Sequence, residues 1–90
     1  MYPYHFSEHP DRKPVLPPPQ AIPTFFHSRE QVQEKVLKMY VHHIVFIWMS
    51  SGHSFWFYPI KIESDKILGY IWSGTWSFYK FNLNLIESFY

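Results

Sequence analysis

Histidine is the side chain best suited to acid–base or metal chemistry near neutral pH, and this chain has six. His5, His9 and His27 lie in a proline-rich stretch at spacings of four and eighteen residues with no cysteine among them, which is weak metal-ligand spacing. His42 and His43 are adjacent at the start of an extended run. Successive side chains of a strand point to opposite faces, so that geometry disfavours joint ligation. Glu63 and Asp65 stand beside Lys66 in a turn, and turn chemistry accounts for them. The chain contains no G-x-S-x-G, no Walker A sequence, no G-x-G-x-x-G and no H-E-x-x-H. It has no cysteine, which removes disulfides and thiolate ligands together. These residues predict a non-enzymatic protein with no catalytic residues, no metal and no cofactor.

Aromatic side chains are the other chemically distinctive group, at 22% of the chain. Rings interleaved with lysine can stack single-stranded nucleic acid. Trp56, Trp72, Trp76, Phe78 and Tyr79 with Lys61, Lys66 and Lys80 have that character. Net charge is only +1, however, and charged residues are 17% of the chain, so no basic cluster tracks a phosphate backbone. The rings are better accounted for as core and interface, because each buries a large area.

These residues must be positioned by a small domain. Seven of the eight prolines lie in residues 1–23, so residues 1–27 read as an extended Pro-rich N-terminal arm and 28–90 as the folded domain. Pro17–Pro19 favours polyproline II. The arm is punctuated by Tyr2, Tyr4, Phe6, Val15, Leu16, Ile22, Phe25 and Phe26, which a solvating tail does not need. That pattern predicts an arm laid on a neighbouring subunit.

Ser28 followed by Gln31 is a capping-box pattern and opens a predicted helix to about Tyr40. Val32, Val36, Met39 and Tyr40 form its apolar face, and Glu34–Lys38 is a favourable i,i+4 pair. Five strands come after it: about His42–Met49, His53–Ile62, Lys66–Trp72, Trp76–Phe81 and Leu85–Phe89. Ser50-Ser51-Gly52, Glu63-Ser64-Asp65, Ser73-Gly74-Thr75 and Asn82–Asn84 separate them. In the first, Ile44, Phe46 and Trp48 face one side and Val45, Ile47 and Met49 the other. In the second, Phe55 and Phe57 oppose Trp56, Tyr58, Ile60 and Ile62. Pro59 implies an edge position or a bulge, and Gly69 a close approach or bend.

The fold class is mainly β with one N-terminal α-helix: a small, strongly bent, five-stranded antiparallel sheet or an SH3/Sm-like barrel. A sheet with one solvated face alternates apolar with polar residues, and these strands do not. One short helix cannot cover both faces, so the second face is expected to meet another copy or a partner. The longest apolar run, Ile44–Met49, is too short to span a bilayer. The opening residues carry prolines and charges in place of an apolar run, which predicts synthesis without a secretory signal.

The order of helix, strand, glycine turn, long bent strand, third strand and Tyr79-Lys80 before the last strands resembles the Sm-like β-barrels, including the Hfq-type bacterial RNA chaperones. The likeness covers roughly residues 28–89, with Gly52 ending the first strand. Phe81 stands where that family places a histidine after Tyr-Lys. The resemblance implies ring assembly by strand pairing and RNA contact through Lys61, Tyr79 and Lys80. Separately, MYPYHFSEHPDRKP is similar to the openings of small spore-coat-associated proteins of endospore-forming Bacilli, which implies assembly into layers or fibres.

Together these readings predict a structural protein that self-assembles as a homo-oligomeric layer or filament of a spore coat or other surface layer. Phe25, Phe26, Trp48, Trp56, Tyr58, Trp72 and Trp76 are the expected interface residues. An Sm-like RNA-binding ring is the alternative, and RNA is a partner only under it.

Overall fold

The computed structural model describes residues 13–23 and 34–90. Five antiparallel strands form one sheet: β1 (Val45–Met49), β2 (Ser54–Glu63), β3 (Lys66–Trp72), β4 (Trp76–Asn82) and β5 (Ile86–Phe89). Their spatial order is β4-β3-β2-β1-β5. Each sequential neighbour from β1 to β4 pairs through a short turn, and the chain then returns to lay β5 beside β1. β4 and β5 end the sheet and do not pair with each other, so it stays open and the barrel alternative is corrected.

Ahead of the sheet come one turn of α-helix, α1 (Glu34–Leu37), and a 3₁₀ turn, Lys38–Tyr40. The predicted helix start at Ser28, its Gln31 partner and Val32 lie outside the described residues. The Glu34–Lys38 pair forms, at 3.1 Å. The predicted apolar stripe holds in part: Val36 packs on the core and Tyr40 meets Phe89 edge to face at 5.2 Å, but Met39 is 72% exposed and Leu37, outside the predicted stripe, is buried. The physical reason is which residue the core takes, Leu37 and not Met39. Met39 is two residues beyond Leu37, about 200° round an α-helix and about 240° round a 3₁₀ turn, so once Leu37 faces the core Met39 points away from it in either geometry.

Both faces of the sheet are apolar, as the lack of alternation requires. On the first face Val45, Ile47, Phe57, Ile67, Phe81, Ile86 and Phe89 pack into one cluster, closed by Leu37 from the helical turn. Phe57 and Phe81 meet edge to face at 5.2 Å, and Phe55 stands against Phe81 at 5.8 Å. The second face gathers Ile44, Tyr58 and Trp76 with Trp56, Ile60, Tyr70 and Trp72.

The sheet bends at its middle strand. Pro59 pairs with Gly69, and the β2–β3 register shifts between Pro59 and Lys61. Of the two positions open to a strand proline, the bulge is the one used, since β2 is central and not an edge. The extra residue also reverses the facing of the side chains beyond it. Ile62 therefore packs with the first-face cluster and not with Trp56 and Tyr58, where strict alternation had put it.

Gly69 is where the two strands approach most closely. A Cβ there would stand 2.8 Å from the Pro59 Cα and 2.9 Å from the Phe57 ring, and would also meet the Tyr58 carbonyl oxygen. Gly74 has a different role: its φ of +92° closes the β3–β4 turn in a region L-residues avoid, with open space around it. Overpacking a closed site costs about 1–3 kcal/mol, against roughly 1 kcal/mol for strain at an open turn. Gly69→Ala is therefore expected to lower the urea midpoint more than Gly74→Ala. Equal losses would contradict the close approach.

Candidate functional site

The second face is the most chemically concentrated part of the described structure. Alternation along the strands and the sheet register place Trp48 on β1, Trp56 and Tyr58 on β2, Trp72 on β3 and Trp76 on β4 on this side. Phe46 links them. Its ring lies 5.1 Å from Trp48 and 4.9 Å from Trp56, both edge to face. Trp72 and Trp76, paired across the β3–β4 hairpin, have ring centroids 5.1 Å apart. The five described interface candidates are thus brought to one face. Phe25 and Phe26 lie outside the described residues.

Tyr58 and Trp76 are nearly fully buried, at 2% and 5% exposure, although no second layer of helix or sheet lies over them among the described residues. Residues 13–19 of the arm cover this side. Pro14 and Pro18 are buried, and the indole Nε1–H of Trp76 donates to the Leu16 carbonyl at 3.0 Å. Lys13, Pro14 and Val15 lie alongside Tyr70, Trp76 and Phe78. Pro19 lies by Ile44, Val45 and Trp56 at the other side of the sheet. The sequence left this cover to another copy or a partner; the described arm residues lie on the sheet of their own chain. No periodic signal could have revealed this, since a proline-rich segment has none.

Dimensions explain why this segment fits. Five residue steps of an extended chain reach at most about 17 Å. Three interstrand steps of about 4.8 Å, from β4 to β1, cover about 14 Å. Residues 14–19 are thus long enough to cross four strands once.

The residues of the RNA alternative fall differently. Lys61, Leu68 and Lys80 occupy one cross-strand row, which puts both lysines on the second face. Tyr79 is on the first face, against Phe55 and Phe81 at 6.2 and 5.4 Å. Tyr79 and Lys80 therefore point to opposite sides and do not form a joint contact. Lys61 is also paired with Glu63 at 3.0 Å.

The histidine pair does not sit in a strand. His42 is in the turn before β1, with φ +71° and its N–H donating to the Pro59 carbonyl at 2.7 Å. His43 lines an apolar cavity of about 250 Å³ with Pro19, Tyr40, Ile44, Val45, Trp56 and Tyr90. Its ring meets Tyr40 edge to face at 6.1 Å. Among the described residues no three His, Asp or Glu side chains cluster as a metal site, and no helix is long and apolar enough to cross a membrane. His5, His9 and His27 lie outside the described residues.

Comparison with protein-family models, with curated proteins and with solved structures finds no match to this chain. The Sm-like and spore-coat resemblances rest on the residues quoted for them.

Burial holds the His43 imidazole below its ordinary range, and the adjacent His42 pushes the same way. The unfolded chain then binds the proton more readily than the folded one. Stability from this residue is complete above about pH 6.5 and falls as pH drops below it. Urea midpoints at pH 7.5 and 5.5 are expected to differ more in the wild type than in His43→Gln. Identical pH dependence in both would contradict this reading.

Proposed function

We propose that this protein is a non-enzymatic structural subunit that self-assembles into a homo-oligomeric layer or filament. A spore coat or other surface layer is the setting its opening residues suggest. The observation that carries the reading is the open sheet with an unblunted edge. β4 is seven residues long and has no proline. Its exposed side chains include Phe78, 57% exposed, and Tyr79, one on each face. An edge strand offers a row of unpaired N–H and C=O groups to another chain, and proteins that stay monomeric protect such edges with prolines, bulges or several charges. Lys80 is the only charged residue on β4.

The opposite edge, β5, is the natural partner. A β4-to-β5 joint uses two different surfaces, so it is heterologous and propagates into a ring or an open filament depending on the rotation per subunit. The arm adds a second joint. The contact of residues 14–19 with their own aromatic face can form equally between two copies by exchange, which ties neighbours together without new surface.

A second reading, an Sm-like RNA-binding ring, draws support from the shared row of Lys61 and Lys80, with Lys80 exposed on the edge strand. It uses the same edge-to-edge joint, with RNA as an added ligand.

Negative-stain microscopy of purified protein, with and without RNA, separates the readings. Filaments or sheets without RNA are expected, and Phe78→Lys, which puts a second lysine on the same side of β4 as Lys80, is expected to raise the assembly concentration at least about tenfold by weakening edge pairing. A wild-type protein that stays monomeric throughout would overturn the proposal. Rings that retain RNA in a salt-sensitive way, lost on Lys80→Ala, would favour the second reading.

A further inference from the structure

We propose that the aromatic face of the sheet is a recognition site for proline-rich segments, held in cis by residues 14–19 and able to take the same chemistry from a separate polypeptide. This does not depend on self-assembly.

Three observations converge. First, the site has an aimed donor. Trp76 is buried by its ring, yet its indole N–H reaches the Leu16 carbonyl at 3.0 Å. A proline-rich segment has few backbone N–H groups to engage its own carbonyls, so these are left to accept from such a donor. Second, the arm is read at intervals. Pro14 and Pro18 are buried, while Val15, Leu16, Pro17 and Pro19 keep exposed side chains. Two rings are therefore gripped, with the accepting carbonyl between them. Third, the groove extends past the gripped residues. The cavity beside Pro19, walled by Tyr40, Ile44, Val45, Trp56 and Tyr90, is apolar and large enough for another ring or branched side chain.

The cis segment belongs to the same class as the ligand. Proline-rich chains lose little backbone freedom on docking, so a few ring contacts and one hydrogen bond suffice for weak, reversible binding. A tether gives the cis segment an effective concentration in the millimolar range. A separate polypeptide must then compete with the arm, and its apparent affinity falls by the fraction of molecules whose site is open. The arm is thus both a cover for the face and a gate on it. A ligand needs a proline at the Pro14 position, a free carbonyl two residues on, and a second proline at the Pro18 position.

The test uses the full chain with the arm released by Pro14→Asp and Pro18→Asp. The Trp76 indole N–H resonance, assigned by its loss in Trp76→Phe, reports occupancy. Release is expected to shift that resonance, and a peptide of residues 13–23, KPVLPPPQAIP, to return it. The released protein is expected to bind this peptide at least tenfold tighter than the wild type does. A peptide with aspartate in place of both prolines is expected to leave the resonance unmoved. The milder pair Pro14→Ser and Pro18→Ser carries the same test if aspartate disturbs the sheet. An indole signal unchanged by release would overturn the proposal. So would a released protein that ignores the peptide at millimolar concentration or binds the control peptide equally well.

Discussion

Two apolar faces need two covers, and the whole arrangement depends on how a chain of this size supplies them. The helical turn, through Leu37, closes the first face over Val45, Ile47, Phe57 and Ile67. The second holds Trp56, Tyr58, Trp72 and Trp76, and its cover is the proline-rich arm. The hydrogen bond from Trp76 to the Leu16 carbonyl joins residues sixty positions apart and satisfies an indole N–H that burial would otherwise leave unpaired. A segment with no regular structure of its own thus acts as a layer of the core. Among the described residues this division of labour leaves the faces covered and the β4 and β5 edges open, and for this reason those edges are the ones we propose for self-assembly.

The bend in β2 makes the two covers compatible. Pro59 cannot donate to the ladder, and Gly69 opposite it has no Cβ to hold the strands apart. The bulge there shifts Ile62 onto the first face and leaves the Pro59 carbonyl to accept the His42 N–H. The helical turn is thereby tied to the bend, and Leu37 is brought over the first face. At the far end of β2, the Asp65 carbonyl accepts the Leu83 N–H, and the Lys66 Nζ donates to Asn82 at 2.6 Å. These bonds hold the end of β4 as the chain turns back toward β5.

Much of the sheet was legible in the residues. Strand positions followed from β-branched and aromatic runs between turn residues, and β3 was predicted at its observed limits, Lys66–Trp72. Pro59 announced the bulge because it cannot donate to a central ladder, and Gly69 the close approach because it has no Cβ. What failed to be legible was non-local. Which residue of the helical turn faces the core depends on packing, and Leu37 took that place while Met39 was left in solvent. The arm's placement rests on one indole and two prolines with no sequence period, so composition could say that it docks but not on which chain. Resemblance to a family grouped Tyr79 with Lys80, whereas the alternation of a strand puts them on opposite faces.

The central claim is that the arm lies on the sheet of its own chain. Val15 is 94% exposed and the chain has no cysteine, so Val15→Cys can carry a single nitroxide label beside the face. Labelled, isotope-enriched protein diluted into an excess of unlabelled wild type reports contacts within one chain only. An arm docked in cis predicts strong relaxation of the Tyr70, Trp76 and Phe78 signals and weak effects on Ile67 and Val45 of the opposite face. Loss of the effect on Trp76 under dilution would contradict the claim and would place the arm on another molecule or in solvent.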